Sequence, residues 1–339
     1  MTAIESLHTH TTLSDGKLTH RELFDLAESL GVSVLAFTDH DAVPSAATMA
    51  ELESLRGRDT KWIIGAELTC DLPRELAPAT AGIHLIGLFL DPQNEALVKH
   101  CERAQASRIT RMRKIVEGLQ GLGFIITAED CLAASGGESV GRPHIVEALR
   151  RRTENNAVLE KIRLEMRDAG NHDSIIKERY DYMMQKGERQ YPYSLILSPE
   201  AFRSTYFEND YMPDLDEAVA LVRNAGGIAV IAHYYTVHNK LPLEILEKLL
   251  VEKRLDGVEV VYGMRAYGTT EEDAIEKERA TLREMSVRHG TIMAGGSDAH
   301  TKDDLVFYVD NDWFSGETAG FTANILATGR ATKEFSSLE

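Results

Sequence analysis

Seven short apolar runs are spaced along the chain, and they predict seven β-strands. The runs are IESLHTH, VSVLAFTDHD, KWIIGAELT, IHLIGLFLD, IAVIAHYY, GVEVVYG and TIMAGGSDAH. Most of them are continuous rather than alternating, which is typical of strands that are covered on both faces, as in a parallel sheet. We therefore expect a buried sheet at the centre of the fold.

Amphipathic helical patterns lie between several of these strands. In THRELFDLAESLG, Leu23 and Leu26 have helical spacing, the pattern stops at Gly31, and Thr19 with Glu22 has capping-box spacing. The segments PSAATMAELESLRG, DLDEAVALVRNAGG and PLEILEKLLVEKRL also read as helices that connect strands. Repeated alternation of strand and helix predicts an α/β fold with a parallel sheet.

The alternation is interrupted between the fourth and fifth strands. A long helical pattern begins near residue 93, shorter helical pieces follow, and an aromatic-rich connection covers residues 187–212. Connections of this length are usually functional or mobile. We expect a barrel formed by residues 1–92 and 213–339, with a mainly helical insertion over residues 93–212 that covers the substrate.

Polar residues gather where the predicted strands end. Six of the seven strands carry a His, Asp or Glu there: His8, His10, Asp15, Asp39, His40, Asp41, Glu67, His84, His233, Asp298 and His300. In a closed α/β barrel the carboxyl ends of the strands form one rim, and active sites lie at that rim. The pattern therefore predicts one polar site built from six strands.

The spacing of these residues favours a metal centre. Side chains on a strand repeat every two residues, so His8 and His10 face the same way, as do Asp298 and His300. Imidazoles and carboxylates are N/O donors for Zn²⁺, Mn²⁺ or Fe²⁺. A single His here would more often be a hydrogen-bonded core residue. An apolar core does not tolerate this many uncompensated polar groups, which favours metal binding.

Charge and cysteine content narrow the classes of function. The chain has 37 basic and 54 acidic residues, a net charge of −17, which opposes binding to duplex nucleic acid. A metal site or a local cation cluster can still bind a short anion.

The three cysteines of the chain have no CxxC spacing, so we expect free thiols in a reducing compartment. With no long apolar run and no signal-peptide pattern, we expect a cytoplasmic protein without membrane association.

Six motifs in order, HTHTTLSDG, FTDHD, GAEL, HLIGL, IAVIAH and GGSDAH, resemble those of the PHP (polymerase and histidinol phosphatase) family. The resemblance covers residues 4–91 and about 214–305. It implies a distorted (β/α)7 TIM-like barrel, with the helical insertion between strands four and five. It also implies a hydrolase that cleaves phosphoester bonds with two or three divalent metal ions, Mn²⁺, Zn²⁺ or Fe²⁺.

The resemblance implies three metal positions in this chain. The first is formed by His8, His10, Glu67 and Asp298; the second by Glu67, His84 and His233, with Glu67 bridging; the third by Asp15, His40 and His300. Asp39 is expected behind these ligands, where it orients His40 or a neighbouring backbone group, and we count it with His144 as catalytic. Where the family usually has His-Pro after the fifth strand, this chain has His233-Tyr234-Tyr235.

The insertion offers residues for substrate phosphate. By resemblance to the family's small-molecule branch, Arg108, Arg111, Arg142 and His144 would bind phosphate. Arginine suits this role because its planar guanidinium binds phosphate oxygens in pairs. The simpler alternatives are a solvated helix face for the Arg residues of RITRMRK and helix capping for GRPH. We assign leaving-group protonation to His144.

The expected reaction is attack of a metal-bound hydroxide on phosphorus. A nucleoside 3′,5′-bisphosphate or a related small phosphomonoester is our first choice of substrate, and a cyclic phosphodiester is the second. Histidinol phosphate and the 5′ end of a short RNA stay open as alternatives. Two other classes also stay open: an amidohydrolase-like enzyme that cleaves C–N bonds, and a non-catalytic metal-binding module. Protein partners cannot be read from the sequence.

Overall fold

The computed structural model describes residues 3–76, 82–135, 140–264 and 272–338. The chain folds into two compact units, one formed by Met1–Ala104 with Met212–Glu339 and the other by Gln105–Tyr211. Each unit has a hydrophobic core of its own. No helix of the described residues is both long enough and apolar enough to cross a membrane.

All seven predicted strands are present, and they form one sheet in sequence order. The strands are shorter than the apolar runs, so most of the polar residues of the motifs lie in the loops just beyond them. The bounds are β1 Ile4–Ser6, β2 Val32–Phe37, β3 Lys61–Cys70, β4 Ile83–Leu88, β5 Ile228–Ile231, β6 Gly257–Tyr262 and β7 Ile292–Gly296.

The sheet is mostly parallel, but the expectation of a fully parallel sheet is wrong for β4. This strand pairs antiparallel with both β3 and β5, whereas the other neighbouring pairs are parallel. A parallel pair needs a crossover of a dozen or more residues, usually helical. Residues 71–82 connect β3 to β4, which is no more than the minimum length of such a crossover, and their described part contains no helix. The chain therefore turns back, and β4 runs in the opposite direction.

The two outer strands of the sheet approach each other just past their ends. Backbone hydrogen bonds of 3.0 Å join Leu7 N to the Gly295 carbonyl and Asp298 N to the His8 carbonyl. Gly296 allows this approach, since a Cβ there would overlap the backbone nitrogen of His8. The fold is α/β, with the TIM-like barrel architecture that the motifs indicate.

The described residues include thirteen α-helices, and the helices predicted from the periodic segments are confirmed. They are α1 His20–Ser29, α2 Ala46–Glu53, α3 Glu95–Gly121, α4 Ala128–Ser135, α5 Arg142–Arg150, α6 Asn155–Gly170, α7 Ser174–Lys186, α8 Leu215–Asn224, α9 Leu243–Val251, α10 Glu272–His289, α11 Lys302–Val309, α12 Asp312–Glu317 and α13 Phe321–Ala327. The capping box of α1 is formed: Glu22 N donates to Thr19 Oγ1 at 3.2 Å, and Thr19 N donates to Glu22 Oε2 at 2.9 Å.

The second unit consists of the larger part of α3, helices α4 to α7 and the segment that follows them. The connection over residues 187–212 is more ordered than a plain loop, because it includes a 3₁₀ turn at Glu188–Gln190 and a π-helical turn at Tyr193–Leu197. Leu195, Ile196 and Leu197 are buried in the core of this unit. Their burial explains why the segment takes a helical conformation.

Candidate metal centre

All nine predicted metal ligands converge in the first unit. Their ligand atoms form overlapping groups in which the atoms lie within 4.8 Å of one another. The groups are His10, Asp15, His40 and His300; His8, His233 and Asp298; His8, His10 and Glu67; and His40, Glu67 and His84. Residues far apart in the sequence meet because six strands end at, or pass, the same rim.

Glu67 lies at the centre of this cluster and is fully buried. Its two carboxylate oxygens contact five imidazoles. The distances are 3.3 Å to His8 Nε2, 3.2 Å to His10 Nε2, 2.9 Å to His40 Nδ1, 2.7 Å to His84 Nδ1 and 2.9 Å to His233 Nε2. His84 and His233 approach Oε1, and His8, His10 and His40 approach Oε2, so the two oxygens face two different sets of donors, as those of a bridging ligand do.

His84 reaches the cluster from the opposite end of its strand to the one expected. It is the second residue of β4 rather than a residue near the carboxyl end, and it pairs with Thr69 of β3. Because β4 runs antiparallel, its amino end lies where the carboxyl ends of its neighbours lie. The reversal of this strand therefore brings His84 to the common rim.

The ring nitrogens that face away from the cluster are held by hydrogen bonds. Nδ1 of His8 lies 3.2 Å from each oxygen of Glu259, and Nδ1 of His300 lies 2.9 Å from the Asp298 carbonyl. Nδ1 of His233 lies 2.7 Å from Thr236 Oγ1, whose hydroxyl donates to the His233 carbonyl. Acceptors at Nδ1 place the proton there, so the Nε2 lone pair of each ring faces inward. This is the usual support of a metal-binding histidine.

The electrostatics of the site also fit cations. Burial would raise the pKa of Asp15 and of Asp298, but nearby imidazoles hold both well below the ordinary value. Burial would lower the pKa of His10, but Asp298 and Glu67 raise it to about 10. The carboxylates thus stay ionised and attract positive charge, whether protons or metal ions. Oδ2 of Asp298 is buried without a hydrogen-bond partner among the described residues, as expected for an atom reserved for a ligand.

Backbone strain is concentrated in the loops of this site. Asp41, His233 and Asp298 have positive φ values of 46°, 23° and 51°. Such conformations cost about 1–3 kcal/mol each in non-glycine residues and persist where the surroundings enforce them. The carboxylate of Asp41 accepts hydrogen bonds from Thr69 N at 2.9 Å and Thr69 Oγ1 at 3.0 Å. These contacts hold the loop that carries His40 against β3.

Asp39 orients a backbone segment and does not join the groups of ligand atoms. Its carboxylate accepts hydrogen bonds from Thr11 N and Thr11 Oγ1, both at 2.8 Å, and from Ser14 Oγ at 2.6 Å. These bonds fix the turn between His10 and Asp15. Asp39 thus contacts this turn, and both its orienting role and its direct participation in chemistry stay predictions.

The residues predicted to bind phosphate belong to the second unit. Arg108 is buried in α3, and Arg142 begins α5 with its guanidinium carbon 5.7 Å from the centre of the Tyr206 ring. Burial and a hydrogen bond to Glu208 raise the pKa of Tyr206, and the charges of Arg142 and Arg111 oppose this rise. Arg111, Arg142 and Tyr206 are thus close enough to interact.

His144 caps a helix, which was the alternative interpretation of the GRPH motif. Its Nδ1 accepts a hydrogen bond from Gly141 N at 3.0 Å, at the amino end of α5. Because Nδ1 accepts, the proton of the neutral ring lies on Nε2. The capping contact leaves the proposed chemical role of His144 as a prediction.

Two residues of these clusters were missed by the sequence analysis. Glu259 is a carboxylate within the apolar run GVEVVYG, and a lone acidic residue in a buried strand is a usable signal. Tyr206 lies in the aromatic-rich connection, where several aromatic residues follow one another. Nothing in the sequence distinguishes Tyr206 from its neighbours, because its importance depends on which arginines fold against it.

The family model of the PHP domain matches residues 6–232 of the chain. The 3′,5′-nucleoside bisphosphate phosphatase of Chromobacterium violaceum is 24% identical over 298 residues, which are 87% of this chain and 86% of that protein. The phosphoribosyl 1,2-cyclic phosphate 1,2-diphosphodiesterase of Eggerthella lenta is 25% identical over 305 residues, 88% of this chain and 95% of that protein.

A solved structure is also similar to this chain. A protein of Bifidobacterium adolescentis assigned as a metal-dependent phosphoesterase aligns with a TM-score of 0.64 and 26% sequence identity. The alignment covers 97% of this chain and 96% of that protein. The chain therefore belongs to the PHP domain family and is a metal-dependent hydrolase that acts on phosphoester bonds.

Proposed function

We propose that this chain releases phosphate from a small phosphorylated substrate, and that a nucleoside 3′,5′-bisphosphate or a related phosphomonoester is preferred. The observation that carries the proposal is the cluster of nine His, Asp and Glu side chains that includes the buried carboxylate of Glu67 at its centre. No cysteine belongs to any of the donor groups found among the described residues. Such a donor set suits Mn²⁺, Zn²⁺ or Fe²⁺.

Glu67 is shared by two of the three proposed ligand sets. His8, His10 and Asp298 complete the first set, and His84 and His233 complete the second. Asp15, His40 and His300 form the third set. Divalent ions held there supply the positive charge that activates water and stabilises negative charge on phosphoryl oxygens. The protein contributes orientation, since the outer hydrogen bonds of His8, His233 and His300 fix their rings before any ion binds.

The proposed role of the second unit is to bind substrate phosphate. Arg108, Arg111 and Arg142 supply positive charge in a chain whose net charge is −17. A hydrogen bond from a charged donor contributes about 1.5–3 kcal/mol, which corresponds to about a 10- to 100-fold change in affinity. We assign leaving-group protonation to His144 in its protonated form, which returns to the neutral ring when it donates a proton to the leaving oxygen.

The charge of the chain favours a small substrate over a nucleic acid. The negative net charge opposes long polyanions, whose binding depends on many phosphate contacts. Relatives named for small phosphorylated molecules and an exoribonuclease of Escherichia coli match similar shares of the chain, 87% and 88% against 88%, so the preference rests on charge. A cyclic phosphodiester, which would be opened and then hydrolysed at the same site, is the second candidate, since one relative is named for such a substrate.

The test measures the release of phosphate and of mononucleotide, with added Mn²⁺, from four substrates. They are adenosine 3′,5′-bisphosphate, a cyclic phosphodiester, histidinol phosphate and a short 5′-phosphorylated RNA. We expect the bisphosphate to give the highest kcat/KM, and we expect His8→Ala to abolish release. A preference for RNA or histidinol phosphate would overturn the substrate assignment. Bound metal without phosphate release from any of the four would favour C–N hydrolysis or a binding role.

The phosphate-binding role is tested with matched arginine variants. Arg111→Ala and Arg142→Ala are expected to raise KM for the bisphosphate about 10- to 100-fold, because each removes one charged donor. Arg113→Ala is the control, since Arg113 lies on the same helix as Arg111 but is exposed. An equal rise in KM for all three variants would show that overall charge, and not a defined phosphate site, is responsible.

A further inference from the structure

Glu259 of β6 is a buried carboxylate with two separate contacts in the metal centre. It is 1% exposed and lies among the buried residues Val258, Val260 and Val261. We infer that Glu259 is a positioning residue that holds His8 and His233 in register for metal binding. This inference rests on the proposed metal centre, and it assigns a role to β6, the one strand that the motif pattern left without one.

The first contact fixes the ring of His8. Both oxygens of Glu259 lie 3.2 Å from His8 Nδ1, and a carboxylate can only accept. The proton of the neutral ring is therefore held on Nδ1. The other nitrogen, Nε2, then presents its lone pair to the cluster, where it lies 3.3 Å from Glu67 Oε2 and 3.1 Å from His10 Nε2.

The second contact fixes the backbone of His233. The amide nitrogen of His233 donates to Glu259 Oε2 at 2.7 Å. His233 has a φ of 23°, a conformation that a side-chain-bearing residue adopts only under constraint. With the amide anchored, the ring extends into the cluster, and its Nε2 lies 2.9 Å from Glu67 Oε1. One carboxylate thus aligns a ligand after β1 with a ligand after β5.

The chemistry of Glu259 agrees with positioning and not with direct metal binding. Its oxygens face the outward nitrogen of His8 and a backbone amide, and Glu259 belongs to none of the ligand-atom groups of the described residues. Burying a charge in an apolar strand is costly unless hydrogen bonds compensate for it. The compensation here comes from two groups that both serve the metal centre.

The test compares Glu259→Gln with Glu5→Gln, which alters another buried carboxylate that belongs to none of the ligand-atom groups of the described residues. Glu5 is 5% exposed and accepts hydrogen bonds from Gly320 N, Thr322 N and Thr322 Oγ1. Both variants and the wild type are stripped of metal. Their affinity for Zn²⁺ or Mn²⁺ is then measured by competition with a chelating dye, and bound metal is counted by elemental analysis.

We expect Glu259→Gln to weaken metal binding by about 10- to 100-fold, the range typical of partners behind a ligand. Glu5→Gln is expected to bind metal like the wild type, even if its unfolding temperature drops. A Glu259→Gln protein that binds metal within about twofold of the wild type would overturn the inference. An equal loss in Glu5→Gln would also overturn it, because the effect would then be general destabilisation.

A second variant separates the effect of the negative charge at position 259 from the effect of side-chain length. Glu259→Asp keeps the negative charge but is one methylene shorter, so it cannot maintain both the His8 and the His233 contact. We expect it to bind metal more weakly than the wild type at unchanged net charge. Wild-type affinity in Glu259→Asp would show that charge alone is sufficient and would contradict positioning. A wild-type protein that takes up no metal would instead refute the proposed metal centre itself.

Discussion

Removing the metal ions is expected to make the stability of this protein fall as the pH rises. Burial would lower the pKa of His300, but the charges of Asp15 and Asp298 outweigh it and raise this pKa to about 9. In the unfolded chain the pKa of a histidine is about 6.5. The folded metal-free protein therefore binds a proton more tightly than the unfolded chain does.

The size of the effect follows from this difference in pKa. A group whose pKa is raised on folding contributes stability that is complete below about pH 6.5 and is lost as the pH passes the folded value, about 9. Each pKa unit corresponds to about 1.4 kcal/mol, so the loss of the His300 proton alone lowers the free energy of unfolding by about 3 kcal/mol over this pH range. This corresponds to a decrease of about 6–12 °C in Tm for a domain of this class. His10, whose pKa is raised to about 10, acts in the same direction.

The assay is thermal unfolding of the chelator-treated protein, followed by circular dichroism between about pH 6 and pH 9.5. Added Mn²⁺ should remove the decline, because metal ions bind the neutral imidazoles that a higher pH favours. His300→Asn should make the metal-free decline shallower without abolishing it, because His10 still contributes, whereas His172→Asn, at an exposed position, should leave it unchanged. A metal-free Tm that stays constant or rises over this range would refute the reasoning.

Three further predictions concern the same centre. Glu67→Gln should lower metal affinity by more than about 100-fold, because it removes the charge shared by five imidazoles; unchanged metal content by elemental analysis would contradict this. Gly296→Ala should destabilise the protein by about 1–3 kcal/mol in urea unfolding, because a Cβ there overlaps the backbone of His8. Gly316→Ala, in open space, is its control and should be neutral or stabilising. Asp39→Asn should reduce bound metal about 10-fold, because the three hydrogen bonds that Asp39 accepts order the turn before Asp15. Circular dichroism should show that the fold is retained. Full metal occupancy in this variant would exclude the ordering role.

The seven strands and most of the helices could be predicted from local sequence. Continuous apolar runs mark buried strands whatever their direction, and a capping box such as that of Thr19 and Glu22 acts within one turn of helix. Strand direction could not be predicted in the same way. Whether β4 pairs parallel or antiparallel depends on the path of its connection to β3. An apolar run has the same pattern for either strand direction, so it does not predict the direction.

The candidate ligands were found because their spacing is itself physical information. His8 and His10 are two residues apart, as are Asp298 and His300, so each pair shares a face without any knowledge of the fold. Glu259 was missed because its partners, His8 and His233, are distant in the sequence and approach it only across the sheet. Tyr206 was missed for the same reason, since its contact with Arg142 joins two separate segments.

The sequence by itself determined which strands form, which donors are present and that the donors are suited to metal ions, because these depend on residue type and on short-range periodicity. Only the tertiary structure decided how the donors are shared. It reversed β4 to bring in His84, placed Glu67 between five imidazoles, and set Glu259 behind two of them. Those arrangements depend on distances between residues far apart along the chain, and such distances exist only once the sheet has formed.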